Sequence, residues 1–226
     1  MSRVMKIARV VAVGVSAFIL SLGVASAGPV FWTDWTATTA AAPGVVGSIN
    51  TGTATIGVSY AGAYSLAQVS GGTNYWNPSA PYLSATVSNA PPASDIIELT
   101  TGGTGTITFS QPVLNPLIAL VSWNGNTADF GTAIQFLSFG NGYWGNGTPI
   151  LNAGGTGFFG SGEVHGVIEL PGTFSSITFT HTPEGWHGFT VGVMGEAPST
   201  VPDHGSSLLL LGMGLVGLRA WRKRLG

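Results

Sequence analysis

From Phe31 onward, apolar and polar residues alternate in short runs broken by Gly, Pro and Asn. In Glu163 to Leu170 the positions Val164, Gly166, Ile168 and Leu170 are apolar or small, and Glu163, His165, Val167 and Glu169 take the other face. That period of two predicts a half-buried strand. Ile177, Phe179 and His181 alternate with Thr178, Thr180 and Thr182, and His187, Phe189, Val191 and Val193 alternate with Gly188, Thr190 and Gly192. Both read as strands. Weaker alternation predicts strands over Trp32 to Thr38, Ala54 to Tyr60, Tyr64 to Val69, Asp95 to Thr100, Thr106 to Ser110, Pro116 to Trp123 and Ala133 to Phe139. The run Leu117 to Trp123 is apolar on both faces and reads as a central strand. Gly160-Ser161-Gly162 reads as a glycine turn. About ten short strands with no amphipathic helix between them predict an all-β antiparallel sandwich or jelly roll.

The two ends follow a different pattern. Residues 1–27 carry three basic residues near the start, an apolar stretch from Val10 to Val24 and the small-x-small run Ala25-Ser26-Ala27, the three regions of a secretory signal peptide. Cleavage is expected after Ala27, leaving a mature start at Gly28. The last segment, residues 201–226, has a turn-prone polar motif, an apolar run from Leu208 to Leu218 and a basic end with Arg219, Arg222, Lys223 and Arg224. Counted through Ala220 the apolar run is 13 residues, about 20 Å as a helix against roughly 30 Å of bilayer hydrocarbon. It is short for a permanent span. The basic cluster is expected to stay on the cytoplasmic side of the inner membrane. The organisation expected is therefore a signal helix over 1–27, a β domain over 28–195, a polar linker over 196–200 and an apolar helical tail over 201–226.

The tail, with Val201, Pro202, Asp203, His204, Gly205 and Ser206 ahead of its apolar run and basic end, resembles the PEP-CTERM sorting signal of Gram-negative bacterial exported proteins. Asp203 stands where the commonest form has Glu and His204 where it has Pro, so Val-Pro-Asp-x-Gly-Ser looks like a variant of that signal. The resemblance implies that an exosortase-type membrane enzyme processes the tail near residues 201–207. It also implies delivery to the cell surface or an extracellular, exopolysaccharide-rich matrix. The stretches around Gly157 to Glu163, Phe174 to Phe179 and Gly185 to Val193 are similar to the β-rich bodies of such proteins. A tail with no sorting enzyme, acting as a plain hydrophobic anchor, is the alternative.

Charge narrows the partners. All seven basic residues lie in the terminal segments, and between Gly28 and Thr200 there is no Lys or Arg against the acids Asp34, Asp95, Glu98, Asp129, Glu163, Glu169, Glu184 and Glu196. Such a body cannot neutralise phosphates or release their counterions, which excludes nucleic acid as a ligand. The chain has no cysteine, so disulfides, cysteine nucleophiles and thiolate metal sites are excluded. Neutral polysaccharide remains compatible.

Seven Trp and five Tyr among many Asn residues fit a glycan site, because sugar rings offer apolar CH faces and hydroxyl edges to an aromatic platform beside amides. Trp76 with Asn74, and Trp144 with Asn146, occupy loop-like contexts and are the binding candidates. Trp123, at the end of an apolar run, is expected in the core. The Tyr-Trp pairs at 75–76 and 143–144 echo each other. Calcium is a weaker prospect, with Asp129 near Asn124 and Asn126, or Asp34, as oxygen donors but no EF-hand spacing; solvated turn acids explain them as well. Glu163 and His165 share a strand face and invite a metal or an acid-base pair, although no third ligand is legible. No Gly-x-Ser-x-Gly elbow, phosphate loop or dinucleotide motif is present. No catalytic residue and no cofactor is expected. The function expected is a non-enzymatic exported surface or matrix protein, structural or adhesive, with a polysaccharide-binding module as the alternative and a glycoside-active enzyme third.

Overall fold

A computed structural model describes residues 27–40 and 44–194. The expected signal and tail helices, the cleavage residue Ala25, the sorting motif and the basic stop lie outside the described residues. The described residues form β1 (Val30–Trp32), β2 (Asp34–Thr39), β3 (Gly44–Asn50), β4 (Thr55–Ala61), β5 (Leu66–Gln68), β6 (Ile96–Leu99) and β7 (Gly103–Leu114). After them come β8 (Leu117–Trp123), β9 (Thr127–Asp129), β10 (Gln135–Gly140), β11 (Gly147–Leu151), β12 (Gly157–Gly162), β13 (Val164–Glu169), β14 (Thr173–His181) and β15 (His187–Met194). A single 3-10 turn, Ala80–Tyr82, interrupts the long loop before β6. Among the described residues no helix is long and apolar enough to cross a membrane.

These strands pair antiparallel into two sheets. One runs β10-β13-β8-β15-β6-β5 with β1 joined to β15, and the other runs β11-β12-β9-β14-β7-β4-β3-β2. The chain is all-β. In the second sheet β4 and β14 follow the alternation in their sequence closely. In β4, Ile56, Val58 and Tyr60 are buried while Thr55 and Gly57 face out, and in β14, Ile177, Phe179 and His181 are buried while Thr178 and Thr180 face out. Its inner face shares one core with the first sheet, where Trp35, Tyr60 and Phe179 pack with Leu120, Phe189 and Val191. The rings of Tyr60 and Phe189 meet across that core at 5.2 Å, edge to face.

The first sheet departs from the half-buried expectation. Its outer face is covered by β1 and by the loop of residues 69–95, which form a second apolar cluster with Trp32, Trp76, Tyr82 and Val87 against Leu117, Ala119, Val121 and Val167. As a result β8 is buried at all seven positions between β13 and β15, as its uniformly apolar sequence requires. The strands β13 and β15 are buried on both faces too. Alternation in β15 misled because its glycines are packing positions. A Cβ on Gly188 would lie 2.8 Å from Ile96 and one on Gly192 would lie 2.7 Å from the Trp32 ring. His165 misled for a related reason: its face is roofed by Tyr82, whose hydroxyl sits 3.3 Å from Nδ1.

Further differences concern recognition of strands. Gly160-Ser161-Gly162 is the end of β12, paired with Gly147, Thr148 and Pro149, and not a turn. The Gly160 N–H donates to the Asn126 carbonyl and the Gly160 carbonyl accepts from Gly125. Strands β3, β9, β11 and β12 escape the alternation test because Gly, Ser and Thr fill many of their positions.

Candidate functional site

Three loops at one end of the first sheet bring four aromatic side chains together. Tyr75 comes from the loop before β6, Tyr143 and Trp144 from the β10–β11 loop, and Trp186 from the β14–β15 loop. Tyr75 stacks on Trp144 with centroids 5.3 Å apart and meets Trp186 at 4.8 Å. Trp144 lies 4.3 Å from Trp186, and Tyr143 stands edge-on to both Tyr75 and Trp144. Such contacts stabilise the cluster beyond the area it buries. Tyr143 and Trp144 each remain 43% exposed, so the cluster presents aromatic surface outward. The loop carrying them is pinned from beneath. Gly142 and Gly145 bridge each other, and Gly142 rests so closely on the His165 imidazole that a Cβ there would overlap the ring.

The sequence candidates are divided by this arrangement. Trp144 lies in the cluster, and Asn146 is exposed beside it while its carbonyl accepts from the Glu163 N–H. Trp76 is only 1% exposed, its ring edge-on to Tyr82 in the covering cluster. It offers no face to a ligand, because the residue that turns outward from this Tyr-Trp pair is Tyr75. Asn74 caps the local turn by accepting from the Trp76 N–H at 3.1 Å. Trp123 is a core residue at 1% exposure.

Polar groups border the platform. Glu163, between β12 and β13, receives the Ser122 hydroxyl and, at 2.7 Å, the Asn124 amide. Ser122 reaches it from a left-handed backbone conformation (φ 58°) inside β8, where the β8–β13 ladder shifts register. A serine held in that region costs on the order of 1 kcal/mol or more. Glu184 accepts from the Trp186 N–H, and burial, with the nearby Glu163 charge adding to it, pushes its carboxyl up to about 7. Its Oε2 lies 3.3 Å from Nδ1 of His187, whose Nε2 is 3.1 Å from Nδ1 of His181. Burial, reinforced by His181, lowers His187 to about 3. His165 is lowered to about 4 by burial, against an opposing pull from Glu163. Glu163 and His165 are therefore neighbours whose hydrogen bonds go elsewhere.

The calcium candidates disperse their oxygens. Asn124 is committed to Glu163, Asp129 accepts from the Gly131 N–H and the Asn152 amide, and Asp34 is exposed on β2. Among the described residues no group of three or more His, Asp or Glu is placed to hold a metal. Sequence reasoning missed Tyr75, Tyr143, Trp186, Ser122 and Glu184 as site residues. The repeated Tyr-Trp pair was a signal for the first two; a lone Trp between two histidines carried none.

A family model described as the VPDSG-CTERM motif matches residues 200–225. The chain ends in a sorting motif. It reads Val201, Pro202, Asp203, His204, Gly205, departing from the motif's name at His204. This PEP-CTERM-like tail points to an exported protein processed at the membrane. Comparison with curated proteins and with solved structures finds no match.

Proposed function

We propose that the chain is exported, that an exosortase-type enzyme processes its tail, and that its β-sandwich body acts outside the cell as a non-enzymatic glycan-binding module. The observation that carries the binding role is the convergence of Tyr75, Tyr143, Trp144 and Trp186 with aromatic surface exposed beside Asn124, Asn146 and Glu163. Flat aromatic faces bind the CH faces of sugars, and the amides and carboxylates meet hydroxyl edges. Trp144→Ala is expected to weaken retention on a polysaccharide-containing gel roughly tenfold or more, as truncation of a central aromatic anchor does. Loss of its ring contacts should also lower stability by on the order of 1–2 kcal/mol, so urea unfolding is followed alongside to show that the variant is folded in the assay. Retention unchanged in that variant would sink the glycan reading.

The sorting arm is read separately, by intact mass and terminal sequencing of the protein from its native host. A product starting at Gly28 and ending near Val201 to Ser207 is expected. Backbone pairing supports the first boundary: directly after Ala27, Gly28 donates to Thr86 and accepts from Ser88. A tail persisting through Gly226 in the membrane fraction would replace sorting with a plain anchor. A structural or adhesive role is the second reading. It is favoured by the cross-strand pair Ile150 and Phe159, 53% and 41% exposed at the β11 edge, since apolar sheet edges promote association.

A further inference from the structure

The wall beside the aromatic platform is acidic and has no cation of its own. Glu163 abuts the Tyr143–Trp144 loop, its Cγ 3.9 Å from where a side chain on Gly145 would begin. Glu184 is tied to the platform through the Trp186 N–H. The two carboxyls are close enough for the charge of Glu163 to act on Glu184. Fully buried beneath them, His187 aims Nδ1 at Glu184 Oε2 without completing a hydrogen bond to it. Ser122 bears a strained backbone while its hydroxyl holds Glu163 in place; strain of this kind concentrates where a group must be held for a ligand. Between Gly28 and Thr200 no Lys or Arg exists to pair with either carboxylate.

A positively charged group arriving over the platform would come under the charge of Glu163 and Glu184. An anionic group would meet repulsion with nothing to offset it. We infer that Glu163 and Glu184, set against the Tyr143–Trp144 platform, select glycans bearing protonated amines, free hexosamine units, and reject acidic polysaccharides. This rests on the glycan reading above and specifies its ligand class.

The test uses the full-length chain in detergent solution at about pH 7, where Glu184 is partly ionised and an arriving amine cation favours its charged form. Three oligosaccharides of equal length serve as probes: glucosamine, N-acetylglucosamine and galacturonate oligomers. The free-amine oligomer is expected to bind about tenfold tighter than the acetylated one, with no detectable uronate binding, and raising salt to roughly 0.15 M should shrink that preference. Glu163→Gln and Glu184→Gln should each reduce the amine-to-acetyl ratio to a few-fold. Trp144→Ala should weaken both probes and leave the ratio nearly intact, which separates charge selection from platform contact even if a Gln variant folds poorly. Equal affinity for the amine and acetylated oligomers in the unaltered protein overturns the inference and leaves the glycan reading standing. Failure of all three to bind overturns both, and a preference that survives both Gln substitutions overturns the assignment to these carboxylates.

Discussion

Replacing Trp123 by alanine is expected to destabilise the protein by about 3–5 kcal/mol, the range for removing a large buried aromatic. Trp123 ends the central strand β8 opposite Val164 of β13. Its indole N–H donates to the Gly188 carbonyl of β15 at 3.0 Å. The same ring packs on Phe158 of the other sheet at 5.6 Å and on His187 at 4.5 Å. One side chain therefore joins three strands of the first sheet region to the second sheet. Trp123→Phe keeps much of the volume but strands the Gly188 carbonyl, so its cost should be near 1–3 kcal/mol. Urea unfolding followed by tryptophan fluorescence measures both; a Trp123→Ala cost under 1 kcal/mol would show that the sheets do not depend on this contact.

The buried titratable groups are expected to make stability depend on pH in two opposing senses. His187, at about 3, and His165, at about 4, have folded values below that of a free imidazole because burial disfavours their charged forms. The unfolded chain then takes up these protons first, and the stability they represent is lost as pH falls below about 6.5 toward those values. Asp95 runs the other way. It is buried, accepts from the Trp35 N–H at 2.9 Å, and burial raises it to about 6 despite that bond. The folded state binds its proton first, so stability is lost as pH rises from about 4 to 6. Glu184 and Glu169 share the direction of Asp95, which is why the unaltered protein should show a muted net slope.

Single substitutions separate the two senses. The stability gap between the unaltered protein and His187→Gln should narrow by about 2–3 kcal/mol between pH 7 and pH 4. Against Asp95→Asn, the unaltered protein should lose on the order of 2 kcal/mol between pH 4 and pH 6.5. Parallel slopes for the two variants would refute the assignment of buried neutral imidazoles and a buried carboxyl.

The second sheet was legible in β2, β4, β7 and β14, and most clearly in β4 and β14, where buried and exposed positions alternate. Thr178 and Thr180 against Ile177 and Phe179 report that geometry directly. In the first sheet β5, β6, β8, β10, β13 and β15 were legible as strands, but burial of both faces was legible only in β8, where both faces are apolar in the sequence itself. In β13 and β15 the outer positions are His165, Gly188 and Gly192, which look solvent-facing until the loop of residues 69–95 and β1 close over them. The site followed the same logic. Trp144 was visible as an aromatic in a Gly- and Asn-rich loop, whereas Trp76, in nearly the same local setting, went into the covering cluster. Local composition is alike at the two pairs, and only the layer each loop packs against distinguishes them.

The sequence by itself determined the all-β character of the body, its freedom from cations and the sorting motif that follows it. Each is a local or compositional property: period-two alternation, the absence of Lys and Arg from residue 28 to residue 200, and a contiguous tail read without reference to a fold. Tertiary structure alone decided that Tyr75, Tyr143, Trp144 and Trp186 meet, that Ser122 and Asn124 hold Glu163, and that His181, His187 and Glu184 line up beneath the platform. These residues are separated by up to more than a hundred positions, and they become neighbours only because the antiparallel order of the first sheet and its covering loop bring three chain-distant turns to one end.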